Sequence, residues 1–387
     1  MSKLTVFEQI IKLISRAEFE AAVNKHQGDK YTRNLDCWSW FGALLFGQMT
    51  GHDSIRAIER TFCHGHHRFS KLGFKTICRS TLADANTARP LGILEDTLDR
   101  IIARAGELCP NSHGFNFKDK IFALDASIIP LSLNLCPWAH WRRENGGVKL
   151  NTAIDIASDL PEFHVITHSK PHDLRAINYH TSFPKHATIL FDRGYWCSDW
   201  LNELNRKNIY FVTRQRKNNT FKVVQSRPTN RTQGYLCDQI VYQTNKAWRN
   251  YPKYKGKLRR IKYNDPDTGN KLVFLTNRFD LPTEVICDLY KARWKVELFF
   301  KTLKQNLKIR KFLGVSLHAV KTQILVALIA YVLVQMLRFI LKSTISIPDC
   351  MAVLGTLLLL REPLHKLLGQ LPRVRPHPPP LQLELIF

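Results

Sequence analysis

Three acidic residues stand in surroundings where a lone carboxylate is costly. Asp125 interrupts the apolar run Ile121-Phe-Ala-Leu-Asp125, and Asp192 closes Thr188-Ile-Leu-Phe-Asp192 just before Arg193-Gly194. Each run reads as a buried strand that delivers a carboxylate to its C-terminal end. A buried carboxylate is expensive unless it is paired or holds a cation. The third acid, Glu297, lies in Tyr290-Lys-Ala-Arg-Trp-Lys-Val-Glu-Leu-Phe-Phe-Lys-Thr-Leu-Lys304. Read as one helix, positions seven apart differ by only about 20°. Tyr290, Glu297 and Lys304 therefore share a stripe, with Arg293 one turn before the acid. Val296, Phe299, Phe300 and Leu303 give the rest of that helix an apolar surface. Two acids from strands and one from a helix would make an all-oxygen site for two Mg²⁺ ions. Tyr290, Arg293 and Lys304 beside them could neutralise and hydrogen-bond a phosphate, with Arg as the better bidentate partner. The chemistry these residue types suit is phosphoryl transfer. The plainer alternative for Glu297 is a solvated helix face with an i,i+4 ion pair to Arg293, and for each Asp a turn or helix cap.

The elements needed to position these acids can be read around them. Ile121–Asp125, Val148–Ala157 and Glu162–His168 make a three-strand meander, with Pro161 at the turn before the last. A short helix over 174–180, a strand over 188–192, a helix over 198–206 and a strand over 209–214 follow. This order suits a mixed sheet with helices on its faces. Four short strand-like runs, 221–224, 239–242, 258–263 and 271–276, follow in a basic segment, with a strong turn signal at Asn264-Asp-Pro-Asp-Thr-Gly269. Its stretch 248–257 mixes Trp248, Tyr251 and Tyr254 with Arg and Lys, a combination suited to backbone and base contacts. Before the first Asp the pattern is helical from Leu4 to about Ala105. After Glu297 it is helical again over 317–341 and 349–360, and the proline-rich tail from Leu371 is extended.

Tyr290, Arg293, Glu297 and Lys304 have the Tyr-x2-Arg-x3-Glu-x6-Lys spacing of the insertion-sequence-four family of bacterial DDE transposases. Asp125 and Asp192-Arg193-Gly194 resemble that family's first and second acidic segments, and the resemblance spans roughly Phe7 to Leu341. It implies an α/β fold: a ribonuclease-H-like catalytic core at 111–345 with a β-rich insertion at about 218–280. A small all-α domain at 1–110 would help bind the element's ends, and a helix with the tail would occupy 346–387. It implies metal-dependent cleavage and strand transfer, with Asp125, Asp192 and Glu297 as catalytic residues and ligands of two Mg²⁺ ions, for which Mn²⁺ could substitute. Tyr290, Arg293, Lys304 and Arg193 would contact DNA phosphates. So would Lys149, which follows Gly146-Gly147 as in the family's Gly-x-Lys segment; Asn151 stands where the family more often has His. The implied partners are double-stranded DNA, both terminal inverted repeats and target, and a second copy of the chain, with no membrane; the implied location is the bacterial cytoplasm, at the nucleoid. A DNA-binding relative without activity and a stand-alone nuclease on the same core remain alternatives.

Composition agrees with a polyanionic partner. Across 387 residues, 57 Lys and Arg oppose 32 Asp and Glu, a net charge of +25, which points to nucleic acid before an anionic membrane surface. Nine scattered cysteines suit a reducing compartment better than a disulfide framework. Cys63-His-Gly-His-His67 with Cys78 fits no common zinc spacing and reads as an exposed polar loop. No signal peptide is expected from the first residues, and the apolar run 324–334 is shorter than the roughly 20 residues a spanning helix needs. No phosphate-cradling Gly-rich motif is present, so nucleotide hydrolysis is not implied.

Overall fold

The computed structural model describes residues 4–65, 70–109, 113–142, 145–168, 182–244, 253–266, 269–305 and 312–369. The helix expected over 174–180, His66 and His67, Trp248 to Tyr251 and the proline-rich tail lie outside them.

Among the described residues six α-helices come first: α1 (Val6–Ile11), α2 (Arg16–Lys25), α3 (Cys37–Thr50), α4 (Ile55–His64), α5 (Arg79–Ala88) and α6 (Gly92–Leu108). Their starts follow local chemistry. Thr5 and Glu8 form a reciprocal capping box on α1, and Ser15, Asp36 and Ser54 cap α2, α3 and α4. Phe7, Phe19, Trp38, Phe41, Phe46, Phe62 and Phe74 meet in a chain of ring contacts.

Among the described residues ten strands form one sheet: β1 (Ile121–Leu131), β2 (His140–Arg142), β3 (Asn145–Asp155), β4 (Pro161–His168), β5 (Thr188–Phe191), β6 (Tyr210–Arg214), β7 (Thr220–Arg227), β8 (Tyr235–Thr244), β9 (Leu258–Asn264) and β10 (Lys271–Thr276). The order is β2-β3-β1-β5-β6-β10-β9-β8-β7, with β4 also on β3. Strands β1, β5 and β6 are parallel neighbours, flanked by the antiparallel β3 and β4, the mixed arrangement of a ribonuclease-H-like core. Pro161 is not in the turn but opens β4, where a first strand residue tolerates a missing N–H. The four basic strands do not stand apart. β10 pairs with β6, so the insertion continues the sheet that carries Asp125.

Helix α7 (Ser198–Arg206) packs with Phe191, Phe211 and Tyr254 on one face of the sheet. The other face carries the larger apolar cluster. That cluster joins α8 (Thr283–Ala292), α9 (Trp294–Gln305), α10 (Leu317–Ile340), α11 (Ile347–Leu357) and α12 (Leu364–Gly369) to the amino-terminal helices. Helix α10 is long and apolar enough to cross a bilayer, but 83% of its most apolar window is buried inside the protein. Its hydropathy is that of a core helix. All nine cysteines are free.

Candidate active site

The parallel register aligns the two aspartates. The last paired residues are Leu124 on β1 and Phe191 on β5, and the next residue on each strand is the acid. Adjacent strands lie about 4.8 Å apart, so Asp125 and Asp192 emerge side by side. Only Asp192 is at a strand end. β1 runs on to Leu131 because β3 pairs with it along its whole length, Leu131 opposite Gly146. Asp125 therefore sits mid-strand, where β1 parts from β5. Phe191 also pairs with Thr213 of β6, which puts Arg214 next in the same row.

Glu297 comes from the helical segment, which is not one continuous helix. α8 stops at Ala292 and α9 starts at Trp294. At the joint Arg293 N donates to Tyr290 O at 3.2 Å, and Val296 N to Arg293 O at 3.1 Å. These i→i−3 bonds tighten the turn and divide Tyr290 from Glu297. Each half serves a different acid. Tyr290 Oη donates to Asp192 Oδ1 at 3.4 Å, its ring against Phe274. Arg293 donates to Glu297 Oε1 at 2.5 Å and to Asp125 Oδ2 at 3.5 Å, with its guanidinium 5.6 Å from the Tyr290 ring centroid. The i,i+4 ion pair foreseen as the plain alternative is thus present, and the same arginine ties Glu297 to Asp125.

Asp125, Ser127, Glu297, Lys301 and Lys304 line a cleft of about 300 Å³ with Phe300 at its side. Burial pushes the Asp125 carboxyl up to about 6; Arg293 and the Ala126 N–H oppose this, and the charges of Glu297 and Asp192 add to it. Burial also raises Tyr290, keeping its hydroxyl a donor. Arg193 is exposed on the short turn after Asp192. Lys149 is opposite Ile128 in the β1–β3 register, whereas Asp125 is opposite Thr152. Directly paired residues share a face and the faces alternate, so Lys149 belongs to the other side of the sheet and is not brought to the carboxylates.

Arg216 has no counterpart in the sequence reading. Its Nε donates to Arg193 O at 2.6 Å and its Nη2 to Gly194 O at 2.8 Å, so one guanidinium clasps the turn that carries Asp192. Lys301 was also missed, although it lies one turn after Glu297. In both cases the local sequence shows only another cation in a basic chain.

Among the described residues no three His, Cys, Asp or Glu side chains are grouped so that they could hold a metal ion. The donors at the cleft nonetheless suit a hard divalent cation. They are carboxylates without thiol or imidazole, and their mutual repulsion at Asp125 is what a cation would relieve. Arg293 fills that role here, and its buried Nε has no hydrogen-bond partner among the described residues. For the metal-free protein the raised Asp125 has a signed consequence. A carboxyl at about 6 when folded, against 3.8 ordinarily, takes up a proton on folding. Its stabilising contribution is complete below about pH 4 and is lost as pH rises through about 6, at most about 3 kcal/mol. Asp125→Asn should therefore gain on wild type in unfolding free energy between about pH 4 and pH 7. A difference between the two proteins that does not change with pH would contradict this electrostatic picture.

Residues 116–333 match the family described as transposase DDE domain, and residues 2–75 match a domain of unknown function. A Sinorhizobium fredii protein named as a transposase is 32% identical over 270 residues, which are 69% of this chain and 73% of that protein. A Geobacillus stearothermophilus protein named as a transposase for insertion sequence element IS5377 is 26% identical over 278 residues, 72% of each chain. A cryo-EM structure of a piggyBac transposase synaptic complex with hairpin DNA aligns with 92% of this chain and 78% of its own at a TM-score of 0.44 and 13% identity, a likeness too distant to argue from.

Proposed function

Because this chain belongs to the transposase DDE-domain family, we propose that it is the transposase of a bacterial insertion sequence, which cuts the DNA at the element's terminal inverted repeats and joins the freed 3′-hydroxyls to target DNA. The enzyme acts on DNA, and its family's chemistry depends on a divalent metal ion. The observation that carries the finer reading is the row of Asp125 and Asp192 at adjacent strand positions, with Glu297 held to Asp125 through Arg293.

Asp125, Asp192 and Glu297 would hold two Mg²⁺ ions, with Mn²⁺ able to substitute. The metal, when bound, supplies an activated attacking oxygen and charge stabilisation at the leaving oxygen. The chain's own groups supply the rest. Arg293, which neutralises Asp125 and Glu297 here, would yield those carboxylate oxygens to a bound cation and keep its guanidinium for a phosphate at the same place. Lys301 and Lys304 carry positive charge along the cleft toward the strand being cut. Tyr290 can pass its hydrogen bond from Asp192 to a phosphate oxygen without changing protonation, because its proton is held tightly. Arg216 fixes the turn after Asp192 and so keeps that carboxylate beside Asp125. Two ends must be processed together, so the working form would be a homodimer assembled on DNA, in the cytoplasm at the nucleoid.

The direct test is strand nicking of a duplex that carries the boundary of the element encoding this chain, with Mg²⁺ and with a chelator. Nicking at the boundary only with metal is expected; boundary binding without any nicking would leave a DNA-binding relative instead. Binding itself should be steeply salt-dependent. A protein of net charge +25 that contacts several phosphates loses orders of magnitude in affinity between about 50 and 200 mM salt. A flat salt response in an anisotropy titration would separate the basic surface from DNA binding.

A further inference from the structure

We propose that α4 is the helix through which the amino-terminal region docks on the duplex at the element's ends; the proposal rests on the transposase reading above and gives a role to the region whose family match carries none. The helix has two faces of opposite character. Ile58 and Phe62 are fully buried, with Phe62 against Phe46 and Phe74. Ile58 packs so closely on Gly47 of α3 that a Cβ there would come within 2.4 Å of it. Arg56, Arg60, Cys63 and His64 are exposed on the opposite side. Arg56, Arg60 and His64 are each one turn apart, so they make a basic stripe along the helix.

Neither arginine has an ion-pair partner among the described residues. The acid of this helix, Glu59, is already engaged, its carboxylate accepting the Arg79 N–H at 2.6 Å. The segment leading into α5 runs beside α4, where the Cys63 thiol donates to Ile77 O at 3.4 Å. That segment adds exposed Arg79, and exposed Lys75, whose ammonium pairs with Asp36 at 3.2 Å. It also borders an open cleft of about 680 Å³ lined by Arg33, Lys75, Thr76 and Thr81, groups that suit a sugar-phosphate backbone.

The geometry fits a duplex better than a membrane or a protein. No large apolar side chain of α4 is exposed, which removes what a bilayer surface would need. A helix with its side chains is about 10–12 Å across, the width of the major groove. α3 and α4 are joined by the four residues 51–54, opened by Gly51 in the left-handed region at φ 69°. A short turn between a buried helix and an exposed one is how helical readers present a helix to the groove. Arg56 and Arg60 are then placed for base edges in the groove, where Arg pairs bidentately with guanine.

The test uses the full chain, short labelled duplexes from the element's two boundaries, and the same duplexes with shuffled sequence, without added metal. In the Arg56→Gln/Arg60→Gln variant, boundary affinity by fluorescence anisotropy should fall about ten- to hundredfold, with a smaller loss on shuffled duplex and an unchanged melting temperature. Wild-type boundary affinity in the variant overturns the proposal. So does an equal loss on both duplexes, which would reduce α4 to a non-specific phosphate contact. A wild-type protein without boundary preference would remove the transposase reading itself, and the proposal with it.

Discussion

Glu297→Gln should keep its fold and its hold on boundary DNA while strand nicking falls by several orders of magnitude. The substitution preserves shape and removes the charge that a divalent cation needs, and a metal-dependent step that loses several kcal/mol of stabilisation slows by that much. Stability should change little. Glu297 is about one-third exposed and its partner Arg293 retains Asp125, so the lost i,i+4 pair costs at most about 1 kcal/mol. Relief of repulsion at Asp125 acts in the opposite direction. If Glu297 served only as the partner of Arg293, the pattern would reverse, with a small loss of stability and full activity. Nicking rate and melting temperature measured on the same variant decide between them, and a wild-type nicking rate would take Glu297 out of the catalytic set.

The second large effect lies away from the cleft. Asp238 on β8 and Arg259 on β9 form an ion pair in which both side chains are 1% exposed. The pair reaches the start of the helix that carries Tyr290: Arg259 donates to Leu281 O and Thr283 Oγ1, and Thr283 Oγ1 donates to Asp238 Oδ2 at 2.9 Å. Asp238→Ala would leave a buried guanidinium without its counter-charge, a loss of about 3–5 kcal/mol, or a melting temperature lower by roughly 5–15 °C. Replacing both partners with Leu and Met should recover much of that stability, because a buried pair is offset by its own desolvation. If the double variant melts near wild type and still nicks poorly, the pair is what aims Tyr290 and Arg293 at the aspartates. An Asp238→Ala variant that melts like wild type would show that water already reaches the pair.

Much of this arrangement could be read locally. The apolar runs before Asp125 and Asp192 are the signature of buried strands, and the four basic strands and the limits of α7 and α10 follow from periodicity and turn residues. What escaped depends on partners distant in sequence. Nothing near Lys271 says that β10 will pair with β6 and make the insertion part of one sheet. The extension of β1 beyond Asp125 comes from β3, whose pairing passes the point where β5 ends. The joint at Arg293 has no proline or glycine to announce it, and the seven-residue spacing looks the same with or without it. Lys149 was placed by a three-residue motif, whereas its face is set by register with Ile128. Arg216 could be found only by knowing that its strand ends beside the Asp192 turn.

The shared core of the amino-terminal helices and α10 also fixes an order of events during synthesis. Phe7, Trp40, Phe41 and Phe46 emerge from the ribosome early, but α10, which closes their cluster, ends at residue 340. At ordinary elongation rates of about 5–20 residues per second, that is a wait of roughly 15–60 s. Throughout it the nascent chain exposes an aromatic surface with no cover, a stretch on which chaperones would act. A message broken before α10 would yield a product for proteolysis rather than a stable competitor for the element's ends. Possession of the chain through α10 is therefore enforced by packing, before any DNA is bound.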